Sequence, residues 1–339
     1  MESTERREQG STTRRVQARG VQARRFGDLA LTVLLAVLLA GAALLLWLPQ
    51  RAWSQPLLEM LVALSPLGMV AAAGAVTLAA ARRRPGALLL AALLIAGHLH
   101  AHELLDRPWA RPAAAAGSPA GLRIVSANLL VGNDHLPAAL DHLASLDADV
   151  LLLQEVDASA VAALGRSALA GRYPHRVVDP RPGYFGSAIL SARPLTRAGV
   201  IDVAGWPMSA ATVRVGGRAV RIVNVHVPPP LDDHHLSVWS HALDELRNRA
   251  TDRRVVLMGD FNATDDHARF RRLKASGFAD ALDGSGWSAT WPADRLVPPL
   301  LRLDHALLSE GLTAHRAETL SVPGSDHRGV LVDVASTGR

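Results

Sequence analysis

The chain has 339 residues, enough for two average domains, and 49% of them are apolar but only 4% aromatic, with the excess of alanine, leucine and valine gathered before residue 102. That distribution argues against a wholly soluble protein. Residues 1–111 hold 13 basic against 7 acidic side chains and residues 112–339 hold 23 against 24, so the basic excess sits with the apolar third, which disfavours duplex nucleic acid as the main partner. The absence of cysteine excludes disulfides, thiolate zinc sites and thiol nucleophiles.

Three apolar stretches come first, at residues 29–48, 60–81 and 85–101. A bilayer core of about 30 Å needs about 20 helical residues, and the three are predicted to be transmembrane helices. The second is interrupted by Ser65, Pro66 and Gly68, and the third is the shortest and runs into His98, His100 and His102. If the third stretch were instead an interfacial or buried helix, the soluble domain would lie in the cytoplasm. Seven arginines precede Leu29, Arg82-Arg83-Arg84 separates the second and third stretches, and only Arg51 lies between the first and second. Positive charge is retained inside. Residues 1–28 therefore read as a cytoplasmic arginine-rich tail, disordered over its first 25 or so residues, and the chain after His102 as extracytoplasmic. The three histidines are scattered round a helix by their alternate spacing, only His98 and His102 sharing a face, and read as an interfacial helix end. Trp47 and Trp53 suit an aromatic belt. Residues 103–120, rich in proline, glycine and alanine, read as a linker.

From residue 121 the pattern changes to short apolar runs between amphipathic segments, an α/β (α+β) domain spanning 121–337. Strands are predicted over 123–130, 150–156, 186–190, 219–227 and 255–259, and helices over 136–146, 159–169, 237–248 and 267–275. Polar residues stand at the ends of the strands: Asn128, Glu155, and Asn224 with His226, which share a face because side chains alternate. Gly259-Asp260-Phe261-Asn262-Ala263 delivers a carboxylate and an amide two residues apart. Ser325-Asp326-His327-Arg328 presents a carboxylate beside an imidazole, and Asp304 adds an acid within an apolar run. Together these supply hard oxygen ligands for Mg²⁺ or Mn²⁺, two histidines, and amides for phosphate oxygens. Asp232, Asp233, His234 and His235, after three prolines, read either as a rim to that site or as a solvated loop.

The ordered set resembles the endonuclease/exonuclease/phosphatase superfamily, with its DNase-I-like fold, over residues 121–337. The resemblance implies a four-layer αββα sandwich with its site at one end. It implies Glu155 as the principal metal ligand, helped by Asn128 and Asp326, and Asp260 and Asn262 as the groups that position the attacking water and the scissile phosphate. It makes His226 a phosphate-stabilising group and His327 a general base or phosphate ligand, oriented by Asp304; Asn128, His226, Asn262 and His327 form the phosphate-binding set. Ser187 stands where the family often has asparagine.

Three spans before such a domain also resemble the VanJ-like teicoplanin-resistance membrane proteins of actinomycetes. That resemblance implies a lipid-linked phosphate substrate, above all a polyprenyl (undecaprenyl) pyrophosphate at the outer face of the cell membrane. A sphingomyelinase-type phosphodiesterase, a membrane-tethered nuclease and a non-catalytic envelope-binding protein are the alternatives.

Overall fold

Leucine and alanine propagate helix well once a turn is nucleated, and helix α1 (Glu2–Trp47) extends from its apolar half back through the arginine-rich segment that the sequence suggests is unstructured. The computed structural model describes residues 2–101, 121–249, 253–293 and 298–337. The expected linker, 103–120, and His102 lie outside them. The chain divides into two compact units, Met1–Leu48 with Leu64–Leu105, and Pro49–Ala63 with Asp106–Arg339.

In the first unit α1 is followed by α3 (Leu67–Ala81) and α4 (Pro85–Ala101). The predicted second span is broken. Helix α2 (Pro56–Val62) and α3 meet at 68°, across Ser65 and Pro66, and a proline cannot supply the amide hydrogen that would carry a straight helix through. Helix α4 has 17 residues, about 25 Å of rise, short of the bilayer core. By length and apolarity one helix among the described residues could cross a membrane, at Arg25–Gln50, or two if the bent pair counts as one span. Small side chains bring the helices together: Ala42, Ala72, Ala75, Ala79 and Ala91 are fully buried, so the backbones approach closely. His98 is buried rather than interfacial, with Nε2 3.0 Å from the Ala42 carbonyl. It lies over Gly68, where a Cβ would come within 2.3 Å of the ring. His100 is exposed.

The second unit is a sandwich. Its strands are β1 (Leu122–Asn128), β2 (Val150–Gln154), β3 (His175–Asp179), β4 (Ser187–Ser191), β5 (Thr196–Val203), β6 (Trp206–Val215), β7 (Arg218–His226), β8 (Val255–Asp260), β9 (Phe278–Asp280), β10 (Asp304–Ser309), β11 (Leu312–Leu320) and β12 (Gly329–Ser336). One sheet runs β11-β12-β1-β2-β4-β3 and the other β5-β6-β7-β8-β10-β9. Each sheet has one parallel pair at its centre, β1 with β2 and β7 with β8, flanked by antiparallel neighbours. The crossovers are α5 (Leu136–Ser145) and α8 (Asp233–Asn248); α6 (Ala158–Arg166), α7 (Leu169–Arg172) and α9 (Ala268–Ala275) complete the outer layers. Three apolar layers hold the four tiers together. Ile124, Leu152, Ile222 and Met258 meet between the sheets, Leu140, Leu143 and Leu151 lie under α5, and Trp239, Leu243 and Leu257 lie under α8. Asp157 and Asp232 cap α6 and α8, each carboxylate accepting a backbone N–H three residues on at 2.8 Å.

The two sheets thus repeat one plan, and both central pairs end at the same pole. Gly259 is held there by sterics. Its φ is +145°, and a Cβ would lie 2.0 Å from the Val225 carbonyl oxygen of the paired strand. Gly259→Ala is therefore expected to cost roughly 3 kcal/mol or more, the upper end of overpacking, read as a lowered thermal unfolding midpoint of the full-length chain in detergent.

Candidate active site

The residues picked out by the sequence converge where the central strands of both sheets end. Asn128 closes β1 and Glu155 follows β2; His226 closes β7 and Asp260 closes β8. Asp304 opens β10 directly opposite Asp260 in the antiparallel register. Asn128 joins the two sheets, donating from Nδ2 to Glu155 Oε1 at 3.0 Å and to Asp260 Oδ2 at 3.4 Å. Glu155 also accepts from the Val131 N–H at 2.8 Å. Its φ of +58° is costly for a residue with a long side chain, a form of strain that gathers at functional sites.

Asp260 is almost completely buried. It accepts from the Asn262 backbone N–H at 2.8 Å, and Asn262 in turn donates from Nδ2 to the Val227 carbonyl at 2.9 Å. Asn262 has φ +44°, a conformation asparagine tolerates better than most residues. His327 donates from Nδ1 to Asp304 Oδ2 at 2.8 Å, leaving Nε2 3.7 Å from Asp260 Oδ2, and His226 Nε2 lies 3.8 Å from the same oxygen. These last two gaps exceed hydrogen-bonding distance. Two imidazole edges and a carboxylate therefore face one small volume.

Burial shapes the charges in it. Burial raises Asp260 to about 7, against the opposing pull of His327. Burial would lower His327, but Asp304 and Asp260 overcome it and raise that imidazole to about 10. Burial lowers His226. At neutral pH the site thus offers a cationic donor at His327, a neutral imidazole at His226, and in Asp260 a carboxyl poised to exchange a proton. As an imidazolium His327 is a hydrogen-bond donor that can pair with an anion.

The donor chemistry fits a divalent cation. The Asp260 and Asp304 carboxylates each have an oxygen within 4.8 Å of the other, beside the His327 ring, and Glu155 and Asn128 add a carboxylate and an amide on the adjoining strand ends. Oxygen-rich sets of this kind suit hard cations. Asp326, expected to assist Glu155, accepts through its carboxylate from Trp291 Nε1 at 3.2 Å. Among the described residues no hydrogen bond links it to Asn128 or Glu155.

Several contributors are not evident from the sequence. Ser325 Oγ donates to the Asn128 carbonyl at 2.8 Å and accepts from the His327 N–H at 3.0 Å. Thr290 Oγ1 accepts from the N–H groups of Leu303 and Asp304 at 3.0 and 3.2 Å. His305 is wholly buried, bonded through Nδ1 to Asp280 at 2.7 Å and through Nε2 to the Ala263 carbonyl at 2.9 Å, so it braces the turn that carries Asn262. Only the adjacency of Ser325 to the Asp326-His327 pair is a signal in the sequence. Asn224 and Ser187 belong to a different feature, a buried polar spine between the sheets. Gln154 Nε2 donates to Ser126 Oγ at 2.9 Å and to Asn224 Oδ1 at 2.6 Å. Asn224 Nδ2 donates to the Leu153 carbonyl at 2.9 Å, and Ser187 Oγ to Ser209 Oγ at 3.0 Å.

The Asp232-Asp233-His234-His235 run is a helix start rather than a free loop. His235 donates from Nδ1 to Asp232 at 2.6 Å and accepts from the Tyr184 hydroxyl at 3.0 Å. The Tyr184 backbone lies beside the His226 ring, which places this chain of contacts at the edge of the site.

The fold has solved counterparts. An endonuclease/exonuclease/phosphatase family protein from Bacteroides thetaiotaomicron superposes with a TM-score of 0.55 at 17% identity, covering 66% of this chain and 100% of that one. A mannosyl-6-phosphatase from the same organism gives 0.53 at 17%, covering 63% and 99%, and a 3'-5' exonuclease from Neisseria meningitidis 0.51 at 22%, covering 63% and 100%. No curated protein matches the sequence. The family model for the Endonuclease/Exonuclease/phosphatase family matches residues 125–327, a span that contains Asn128, Glu155, His226, Asp260, Asn262, Asp304 and His327, and the chain belongs to that family.

Proposed function

We propose that the protein is a membrane-anchored, divalent-metal-dependent phosphoesterase that hydrolyses a phosphate or pyrophosphate on a membrane lipid. The observation that carries the hydrolytic part is the pole where Asp260, His327 and His226 face one volume with Glu155 and Asn128 beside it. Glu155 and Asn128 would hold Mg²⁺ or Mn²⁺, with Asp260 or Asp304 adjoining; when bound, the ion supplies charge that lowers the cost of the transition state and of the activated water. The Asn262 amide and the His226 and His327 rings hold phosphoryl oxygens. Asp260, raised into the neutral range, takes the proton from the attacking water as the bond from phosphorus to the leaving oxygen breaks.

The choice of a lipid rests on what is attached to the site. Apolar helices precede it, and residues 112–339 lack the basic excess with which duplex binders neutralise phosphates. The seven arginines before Leu29 favour a cytoplasmic N-terminus, and a single crossing by the Arg25–Gln50 helix would put the catalytic unit outside, where a polyprenyl carrier such as undecaprenyl pyrophosphate is exposed; a part in glycopeptide resistance would follow from that substrate. The test offers full-length protein in detergent equal phosphate concentrations of undecaprenyl pyrophosphate, sphingomyelin and plasmid DNA, with Mg²⁺ or Mn²⁺. Inorganic phosphate from the first should appear fastest. Faster cleavage of DNA overturns the lipid reading, and phosphocholine release moves it to the phosphodiesterase. In the same assay Glu155→Gln is expected to raise the metal concentration for half-maximal activity at least about tenfold, since losing even an outer partner of a ligand costs about 10- to 100-fold.

A further inference from the structure

Residues Pro49–Ala63 connect α1 to α3, yet they belong to the catalytic unit. Their backbone is gripped by side chains that follow the Asp260–Asn262 turn. His267 accepts from the Thr264 N–H at 2.8 Å through Nδ1. Nε2 therefore carries the proton and donates it to the Glu59 carbonyl at 3.1 Å. Burial keeps this imidazole neutral by lowering it to about 4. Arg271 donates to the Pro49 carbonyl and to the Asp265 carbonyl at 3.1 Å. His267 packs edge-on against Trp239, whose Nε1 donates to the Phe261 carbonyl at 3.1 Å. Two side chains, His267 and Trp239, thus link the segment to the turn that bears Asp260 and Asn262.

Helix α2, within this segment, is two-faced. Glu59 and Val62 are buried, and Glu59 Oε2 accepts from the Trp53 N–H at 3.2 Å. Leu57 and Met60, three residues apart and so on one side, are 67% and 41% exposed. Arg51 lies over the Trp53 ring at 5.7 Å. We propose that this segment is a bilayer-contacting element of the catalytic unit, with Leu57 and Met60 entering the lipid interface and the Arg51–Trp53 pair at headgroup depth.

A protein partner is the poorer occupant. A stable protein interface buries about 800 Å² on each side, which a seven-residue helix with two outward apolar side chains does not provide. The segment is joined in the chain to an apolar helix at each end, α1 before it and α3 after it, so a bilayer that takes up those helices brings lipid to α2. Arginine and tryptophan are the side chains suited to the headgroup level. The proposal is independent of substrate, and holds even if the site cleaves a soluble phosphate ester.

The absence of cysteine permits a direct test. Leu57→Cys, made in the full-length chain, is labelled with an environment-sensitive fluorophore and reconstituted in phosphatidylcholine–phosphatidylglycerol nanodiscs, with Asp141→Cys on the exposed side of α5 as the comparison. Lipids spin-labelled near the headgroup should quench the probe at 57 at least about threefold more than the probe at 141. Equal quenching at the two positions overturns the proposal. Phosphate release by the same samples reports separately on the hydrolase reading.

Discussion

His327→Ala is expected to lower the turnover of phosphoester hydrolysis by roughly a hundredfold or more, the usual cost of losing one proton-handling or charge-stabilising group. The substitution removes the only cation that faces Asp260 and Asp304 together among the described residues. It also leaves Asp304 buried without its partner. Two effects must therefore be separated. His327→Gln retains a donor that can reach the Asp304 carboxylate and should restore much of the thermal stability without restoring the rate, because the charge is gone. Steady-state kinetics for both variants, beside their unfolding midpoints, provide the check. Turnover near that of the parent protein in His327→Gln would mean that His327 is structural and that the phosphoryl group is held elsewhere.

The largest expected effect on stability lies behind the site. Arg302 approaches three carboxylates: it donates to Asp265, to Asp283 at 2.9 Å, and lies 3.8 Å from Asp280. Lys274 joins the same group, 2.7 Å from Asp265 and 2.9 Å from Asp283. Burial opposes ionisation of Asp280, but Arg302 and His305 overcome it and hold the carboxyl at about 2. Arg302→Met would remove the guanidinium from the fully buried Asp280 carboxylate and from Asp265 and Asp283, whose side chains are 25% and 40% exposed. Breaking a buried pair on one side costs about 3–5 kcal/mol, or on the order of 10 °C in the midpoint for a unit of this size. The pH dependence has a definite sign. A lowered carboxyl pKa stabilises the fold above the unfolded value near 4, and that contribution is lost as pH falls from there towards 2. The gap between the parent and Arg302→Met should therefore be widest near neutral pH and close in acid. A gap that stayed constant down to pH 2 would assign the loss to packing of the arginine stem.

Asp260, Glu155, His226 and Asn128 are legible in the sequence because each ends a continuous apolar run, where a buried polar group needs a reason to be there. The strands that carry them, β1, β2, β7 and β8, are visible for the same reason, and so is β4. Other strands are not. Thr196–Val203 is an edge strand with mostly exposed side chains, and Leu312–Leu320 contains histidine, arginine and glutamate; neither shows a run or a clean alternation. β6 has few exposed positions, but Pro207 and the small residues Ser209, Ala210 and Ala211 dilute its apolar signal. The Trp291 bond to Asp326 is not legible, because the motif fixes adjacency to His327 and Trp291 lies 35 residues away. The break at Ser65-Pro66 is visible as composition, yet hydropathy over a window averages it away.

The polar spine between the sheets has a further consequence. Two apolar faces packed together resist separation but offer little resistance to lateral shear, since one aliphatic contact replaces another. Gln154, Asn224, Ser126, Ser187 and Ser209 supply directional bonds that are satisfied at a single offset. Glu155 adjoins Gln154 in one sheet, and Asp260 stands beside His226, two residues beyond Asn224, in the other. The spine therefore works as a key that fixes the alignment of the two halves of the site. It has an energetic cost, because the Gln154 side-chain oxygen Oε1 has no partner among the described residues, a deficit of about 1–3 kcal/mol. Gln154→Leu with Asn224→Leu would be expected to leave the sandwich folded while Glu155 and Asp260 drift out of alignment, a protein that melts normally and hydrolyses poorly.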